Sequence, residues 1–205
     1  MFDVEGFILV GGQSSRMGSD KSKLVLGRRT TVEHIQAALG TVASSLRVVG
    51  ARDQGTFAGL QNIPDTHEHW GALGGIHAAL NACRAEWAVI VACDLPLISA
   101  ALIARLWQFA SGIEGENFDA IVPIQPDERP QPLCSFYRRQ SCSAAAGQLI
   151  AEGEHKPRTL LRQVRTRWVT FDQLSDLPGA EDFFLNVNTP DDYQRAKEIL
   201  AGKSI

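Results

Sequence analysis

The stretch Gly6-Phe7-Ile8-Leu9-Val10-Gly11-Gly12-Gln13-Ser14-Ser15-Arg16-Met17-Gly18-Ser19-Asp20-Lys21 passes from an apolar run into two glycines and then into a polar segment with two cations. An apolar run without alternation is the pattern of a strand covered on both faces, as in a parallel sheet with helices on either side. Gly11 and Gly12 let the backbone approach a ligand closely and aim N–H groups at its oxygens. Arg16 can clamp a phosphate through two nitrogens, and Lys21 adds a mobile point charge. The stretch is neither a Walker A loop, since no Lys-Ser/Thr pair directly follows Gly18, nor a G-x-G-x-x-G turn. The competing reading is a polar turn with two solvated cations. Paired glycines directly after a buried strand, followed by Arg and Lys, favour anion binding.

Working outward, further apolar runs occupy Leu46 to Val49, Leu60 to Ile63, Trp87 to Ala92 and Ala120 to Ile124. Helical patterns lie between most of them. Val32, Ile35 and Leu39 repeat at helical spacing, with Thr31 as the expected N-cap and Gly40 as the stop. Leu102, Ile103, Leu106, Phe109 and Ala110 form one face of a helix that Ser99 caps. A shorter helix with Ile76, Ala79 and Leu80 is expected after the glycine-rich Gly71 to Gly75. Strand–helix alternation of this kind predicts an α/β fold: a Rossmann-like, doubly wound, mostly parallel sheet with helices on both faces. Past Pro126 the pattern loosens. A strand is expected over Pro132 to Tyr137, helices over Ser143 to Ala151 and Arg158 to Val164, and a strand over Arg167 to Phe171, completing the same sheet with room for an antiparallel member. The last helix starts at Thr189 and Pro190, with Asp191 and Asp192 at its positive end and Tyr193, Ala196 and Ile199 facing inward. With no linker and no repeat, residues 1–205 read as one domain.

The chain has 205 residues, 44% of them hydrophobic and 21% charged. At roughly 150 residues per domain, one compact unit is the simpler reading, large enough to bury a core without a disulfide or metal. Twenty basic against 23 acidic residues leave a net charge of −3. No basic excess exists to drive binding to nucleic acid or to an anionic membrane. No apolar stretch approaches the ~20 residues needed to span a bilayer, and nothing near Met1 resembles a signal segment, so a cytoplasmic location is expected. Cys83, Cys93, Cys134 and Cys142 include no C-x-x-C pair and read as reduced, mostly buried structural thiols.

In an open parallel sheet, ligands bind beyond the carboxyl ends of the strands, so the loops there carry the chemistry. The run Val91-Ala92-Cys93-Asp94-Leu95-Pro96 puts an acid at the tip of an apolar strand, placed either to hold a hard cation or to cap the next turn. Asp65 ends the third run as Ile63-Pro64-Asp65. The glycines of Gly71-Ala72-Leu73-Gly74-Gly75 allow close packing over a planar ligand, or form a structural turn. His67 and His69 form an H-x-H, but no further His or Cys cluster stands beside them to complete a metal site. His34 and His77 fall in helices and His155 in a polar turn, none with a partner evident in the sequence. In Asn186-Val187-Asn188-Thr189-Pro190, alternation sets Asn186 and Asn188 on one side of an extended segment. There their amides can meet ribose, phosphate or a cation's water, or simply satisfy a turn.

Together these motifs resemble the MobA-like nucleotidyltransferases, the family of the molybdenum cofactor guanylyltransferases. The family pattern Leu-Ala-Gly-Gly-x-x-x-Arg-Met-Gly-x-Asp-Lys is met from Leu9 to Lys21 with Val10 as the one departure. Pro64-Asp65, Gly71-Ala72-Leu73-Gly74-Gly75-Ile76, Cys93-Asp94-Leu95-Pro96, Pro132-Leu133 with Tyr137, and Asn186-Val187-Asn188-Thr189-Pro190 come after it in family order. Gly50 stands where members often carry asparagine, and Ala72 replaces the proline of a Gly-Pro-Leu element.

The resemblance implies a fold of the nucleotide-diphospho-sugar transferase type and a Mg²⁺-dependent transfer of GMP from GTP to molybdopterin, with release of pyrophosphate. It implies that Val10, Gly11 and Gly12 meet the guanine nucleotide, Arg16 and Lys21 its phosphates, and Asp65 the nucleoside side. Asp94 holds Mg²⁺ in that picture, and Asn186 and Asn188 lie near the acceptor. Arg16, Lys21 and Asp94 form the catalytic set. A molybdenum insertion protein or an apo-molybdoenzyme is the expected hand-off partner, with neither nucleic acid nor membrane involved. Two other readings stand beside it: a related transferase using CTP or another acceptor, and an accessory protein that binds nucleotide or cofactor without catalysis. Related CTP enzymes resemble Leu-Ala-Ala-Gly at the first loop, so Gly11-Gly12 favours GTP.

Overall fold

The computed structural model describes residues 3–10, 24–51, 56–65 and 70–202. Their strands are β1 (Val4–Leu9), β2 (Val25–Leu26), β3 (Arg29–Thr30), β4 (Leu46–Val49), β5 (Thr56–Phe57), β6 (Leu60–Ile63), β7 (Trp87–Ala92), β8 (Ala120–Pro123), β9 (Cys134–Arg138) and β10 (Thr166–Val169). The helices are α1 (Thr31–Leu39), α2 (Gly71–Ala82), α3 (Ala100–Ser111), α4 (Arg139–Ala151), α5 (Pro157–Gln163) and α6 (Pro190–Gly202). Eight strands make one sheet in the order β10-β8-β9-β7-β1-β4-β6-β5, while β2 and β3 pair as a separate hairpin. β1 runs parallel to both β4 and β7, and β6 and β10 continue parallel pairings on β4 and β8. β9 is antiparallel to β7 and β8, and β5 to β6. The expected doubly wound, mostly parallel sheet is therefore present, with β9 and the short edge strand β5 as its antiparallel members.

Alternation along each strand divides the core in two. In β7, Trp87, Val89 and Val91 join Val4 and Ile8 of β1 beneath α1 and α3, while Ala88 and Ile90 join Phe7 and Leu9 beneath α2, α4 and α5. The chain moves outward from β1 to β4 and β6, then returns past them to β7, and this reversal sends α2 to the face opposite α1. Right-handed crossovers in opposite directions require that result.

The helix ends refine the sequence reading. Thr30, not Thr31, caps α1: its side chain accepts from the Glu33 N–H while Glu33 reaches back to the Thr30 N–H, a reciprocal pair that requires Glu or Gln three residues on, where Thr31 is followed by His34. Gly40 and Ser99 end and begin helices as expected. The glycine-rich segment is not a loop before a helix but the first turns of α2 itself. A Cβ on Gly75 would stand 3.2 Å from Leu9 Cδ1, so this glycine brings α2 tight against β1, and the packing outweighs glycine's poor helix propensity. The hairpin β2–β3 and the strand β5 carry too few residues for a periodicity to reveal them.

All four cysteines are free and buried. Burial pushes the Cys83, Cys134 and Cys142 thiols up to about 12, which keeps them protonated and inert. No helix among the described residues is long and apolar enough to cross a membrane.

Asp119 ties the edge strand β10 to the sheet. Its carboxylate accepts from Arg165 Nε at 2.8 Å and from Ser141 Oγ at 2.9 Å. The Arg165 and Ser141 hydrogen bonds hold its carboxyl below the ordinary carboxylate value against the opposing effect of burial. A carboxyl lowered in the fold stabilises it above the ordinary carboxylate range, and that contribution is lost as pH falls through its folded value. Asp119→Asn is expected to lower stability by about 1–3 kcal/mol at neutral pH. Denaturant titrations at stepped pH should show the gap from wild type closing below about pH 4.

Candidate active site

The winding of the sheet reverses at β1, and sheets of this kind bind ligands at that switch point, in the crevice beyond the carboxyl ends of the central strands, here β1 and β7. Parallel pairing continues beyond both strands there: the Cys93 N–H donates to the Leu9 carbonyl at 3.0 Å, and the Val10 N–H donates to the Val49 carbonyl at 2.9 Å. Val10 and Asp94 thus leave adjacent strands side by side. Asp65 leaves the same edge from β6, on the far side of β4. With strands roughly 4.8 Å apart, Asp65 and Asp94 stand about three strand spacings, or ~14 Å, from one another across the edge. That span suits an extended nucleoside triphosphate better than a compact metabolite.

The chain's distant end is brought to the same place. The Val187 N–H donates to the Asp94 carbonyl at 2.9 Å, and Val187 is buried in a small cluster with Leu26, Leu97 and Ala196. Asn186 and Asn188 flank Val187 and are half-buried, and the Asn186 amide donates to the Phe184 carbonyl at 3.2 Å. Asp192 accepts from the N–H groups of Asn188 and Thr189 at 3.0 and 2.9 Å, and Thr189 Oγ1 accepts from the Asp192 N–H at 3.1 Å. This reciprocal cap stiffens the segment as it enters α6. The Tyr193 hydroxyl then donates to the Val25 carbonyl at 2.6 Å and ties α6 to the β2–β3 hairpin.

Of the residues singled out in the sequence, Val10, Asp65, Asp94, Asn186 and Asn188 stand along this one edge. Gly11, Gly12, Arg16, Lys21, His67 and His69 lie outside the described residues. The remaining histidines do have partners: His34 Nε2 bonds the Leu26 carbonyl at 2.8 Å, His77 Nε2 bonds the Asn81 amide at 3.1 Å, and His155 stacks on Trp70 with ring centroids 4.3 Å apart. Ala72 occupies the first turn of α2, where a proline fits equally well because first-turn N–H groups lack intrahelical acceptors. Among the described residues no group of three or more His, Cys, Asp and Glu is arranged as a metal cage. One carboxylate at the crevice nevertheless suits Mg²⁺, which takes one or two carboxylates and completes its shell with phosphate oxygens and water.

Sequence reasoning missed Asn62. From mid-β6 its side chain accepts from the Ala51 N–H at 3.2 Å and donates to the Ala51 carbonyl at 3.0 Å, in place of a further rung between β4 and β6. The Gly50 N–H bonds the Ile63 carbonyl at 3.0 Å, and Gly50 holds φ at 82°, a left-handed turn that a glycine adopts without strain. Gly50 thus makes a turn that Asn62 clamps from the neighbouring strand. Its only sequence signal is a polar residue inside a short apolar run.

The switch point of a doubly wound sheet, with an acid at the tip of β7, is where a nucleotide-binding α/β protein places its ligand, as a nucleotidyltransferase does. Comparison with known proteins agrees. A family model described as a MobA-like NTP transferase domain matches residues 6–168, and the chain belongs to that family. Curated relatives include a "Probable molybdenum cofactor guanylyltransferase" of Carboxydothermus hydrogenoformans, 34% identical with 96% of each chain covered. A molybdenum cofactor guanylyltransferase of Photobacterium profundum is 32% identical over 94% of this chain and 95% of its own. Among solved structures, the molybdopterin-guanine dinucleotide biosynthesis protein A of Archaeoglobus fulgidus superposes with a TM-score of 0.78 at 24% identity, covering 97% of this chain and 99% of its own. The 2-C-methyl-D-erythritol 4-phosphate cytidylyltransferase of Thermus thermophilus has the same fold, with a TM-score of 0.69 at 16% identity over 95% of this chain and 98% of its own.

Asn62→Ala strands both polar groups of Ala51. It should lower stability by about 1–3 kcal/mol and speed amide exchange at Ala51, read by hydrogen-exchange mass spectrometry, with exchange in β7 unchanged.

Proposed function

We propose that the protein transfers GMP from GTP to the terminal phosphate of a molybdopterin-type acceptor, giving a guanine dinucleotide and pyrophosphate. The observation that carries this reading is the placement of Asp94 beside the exit of β1, with Asn186 and Asn188 held against it through Val187. A nucleotide lying from Asp65 towards Asp94 brings its phosphates to the crevice, and the Asn186–Asn188 side is left for the acceptor. The names of the relatives support guanine as the base and the molybdenum cofactor as the acceptor.

The acceptor phosphate is anionic, so its oxygen can attack the α-phosphorus without a strong general base. One P–O bond forms, the bond to the β-phosphate breaks, and pyrophosphate leaves with the electron pair. The obstacle is repulsion between anions, so alignment and neutralisation of charge provide the acceleration. Arg16 and Lys21, from the segment after β1, supply the cations that the reaction needs. Mg²⁺, when held by Asp94 and phosphate oxygens, supplies further charge neutralisation. Asn186 and Asn188 offer amides to orient the acceptor.

Asp94→Ala is expected to abolish Mg²⁺-dependent pyrophosphate release from GTP and molybdenum-loaded molybdopterin while the circular dichroism spectrum stays native. A single such contact is commonly worth about 3 kcal/mol of barrier, or about a hundredfold in rate. Wild-type turnover by that variant removes Asp94 from the mechanism. Thermal shifts with GTP, CTP and ATP should be largest for GTP.

A further inference from the structure

Shortly after the stretch that carries Arg16 and Lys21, the chain is fastened by three consecutive carbonyls. The Thr31 N–H donates to the Leu24 carbonyl at 2.9 Å, the Tyr193 hydroxyl to the Val25 carbonyl at 2.6 Å, and His34 Nε2 to the Leu26 carbonyl at 2.8 Å. Two of these donors belong to α1, which follows the β2–β3 hairpin directly, so their bonds are local. Tyr193 is different. It stands in the first turn of α6, 168 residues along the chain from Val25, and joins the hairpin to the opposite end of the sequence.

Packing puts this tie beside the Asp94 turn. Leu26 is fully buried in one cluster with Leu97, Val187 and Ala196, and Leu24 and Tyr193 pack against that cluster. Leu97 lies shortly beyond Asp94 in the chain, and Val187 donates its N–H to the Asp94 carbonyl at 2.9 Å. The hairpin is thus seated on the two segments that hold Asp94. Leu24 follows Lys21 closely in the sequence, and three residues of chain reach at most ~11 Å. An anchor over Leu24 to Leu26 therefore limits how far Lys21 can stand from the Asp94 turn.

We infer that Tyr193 is a positioning residue for the transfer: its hydroxyl, acting through the Val25 carbonyl, sets the distance between Lys21 and Asp94. The bond lies at an exposed position, where water can serve the carbonyl equally well, so its net worth to stability is small. Water cannot fix the hairpin against α6. The same first turn of α6 carries Asp192, which caps the N–H groups of Asn188 and Thr189. One helix end therefore holds both the amide segment and the re-entry of the cationic segment in register with Asp94. The inference rests on the transferase reading above and adds a residue that touches no substrate.

Tyr193→Phe removes the hydroxyl and keeps the ring that packs on the cluster. In steady-state pyrophosphate release with GTP and molybdenum-loaded molybdopterin, kcat should fall about tenfold, with both KM values within about twofold of wild type, because a misplaced charge is felt in the transition state. The melting temperature should stay within about 4 °C of wild type. A merely structural bond would do the reverse, lowering the melting temperature and leaving kcat alone. The second measurement is Lys21→Ala with and without Tyr193→Phe, followed in single turnovers with enzyme in excess so that a loss of about a hundredfold stays readable. With Lys21 gone, the Phe substitution should cost less than about twofold. An unchanged kcat in Tyr193→Phe overturns the inference, as does a loss above about twofold that persists without Lys21. Either result with wild-type turnover intact sinks the inference alone; absence of product from the wild-type protein sinks the transferase reading and this inference with it.

Discussion

The parallel ladder between β1 and β7 governs this structure. It is where the winding of the sheet reverses, and its hydrogen bonds run one step beyond the strands through the Cys93 N–H to the Leu9 carbonyl. Val10 and Cys93, the first residues beyond the two strands, are held a strand spacing apart. Val10 and Asp94 consequently occupy positions set by buried main-chain bonds rather than by side-chain contacts in solvent. Such placement favours catalysis by charge neutralisation, because the groups are oriented before any substrate arrives.

The same logic extends along the edge. On the nucleoside side, Asn62 replaces a missing ladder rung and holds the turn at Gly50 and Ala51. On the other side, Ser135 and Tyr137 send hydroxyls up from the buried strand β9 to fasten residues 131–133. The Asp94 carbonyl receives the Val187 N–H, and Asp192 then caps the entry to α6. Each anchor is a hydrogen bond shielded by the sheet or by apolar neighbours, where an unmade bond is costly and the alternatives are few. Rigid margins surround a rim that is rich in polar side chains.

Much of the fold was legible because its central strands are apolar on both faces and α1, α3 and α6 open on side-chain caps. Trp87 to Ala92 could be read as a buried strand from its run alone, and Ser99 as a cap from the helical spacing of Leu102, Ile103 and Leu106. The α1 boundary slipped by one residue because Thr30 and Thr31 are equivalent until Glu33 is counted in. Gly74 and Gly75 pointed to a loop, yet the missing side chain of Gly75 is what lets α2 lie against Leu9. For the site, Asp65, Asp94, Asn186 and Asn188 were visible as polar residues at the ends of apolar runs. Asn62 was not, because its partners are main-chain groups of Ala51 that side-chain patterns do not encode.

Local patterning determined the strand–helix alternation, the parallel character of the sheet and the chemical type of its rim: glycines and cations after the first strand, a carboxylate after the central one, and amides near the end of the chain. Those features are written in spacing and polarity, which short-range sterics and burial convert directly into elements. Only the tertiary structure decided that residues 94 and 187 touch, that β9 enters antiparallel beside β7, and which carbonyls the buried hydroxyls claim. These depend on pairing between segments far apart in the chain, and their register is chosen by the packing of the whole sheet.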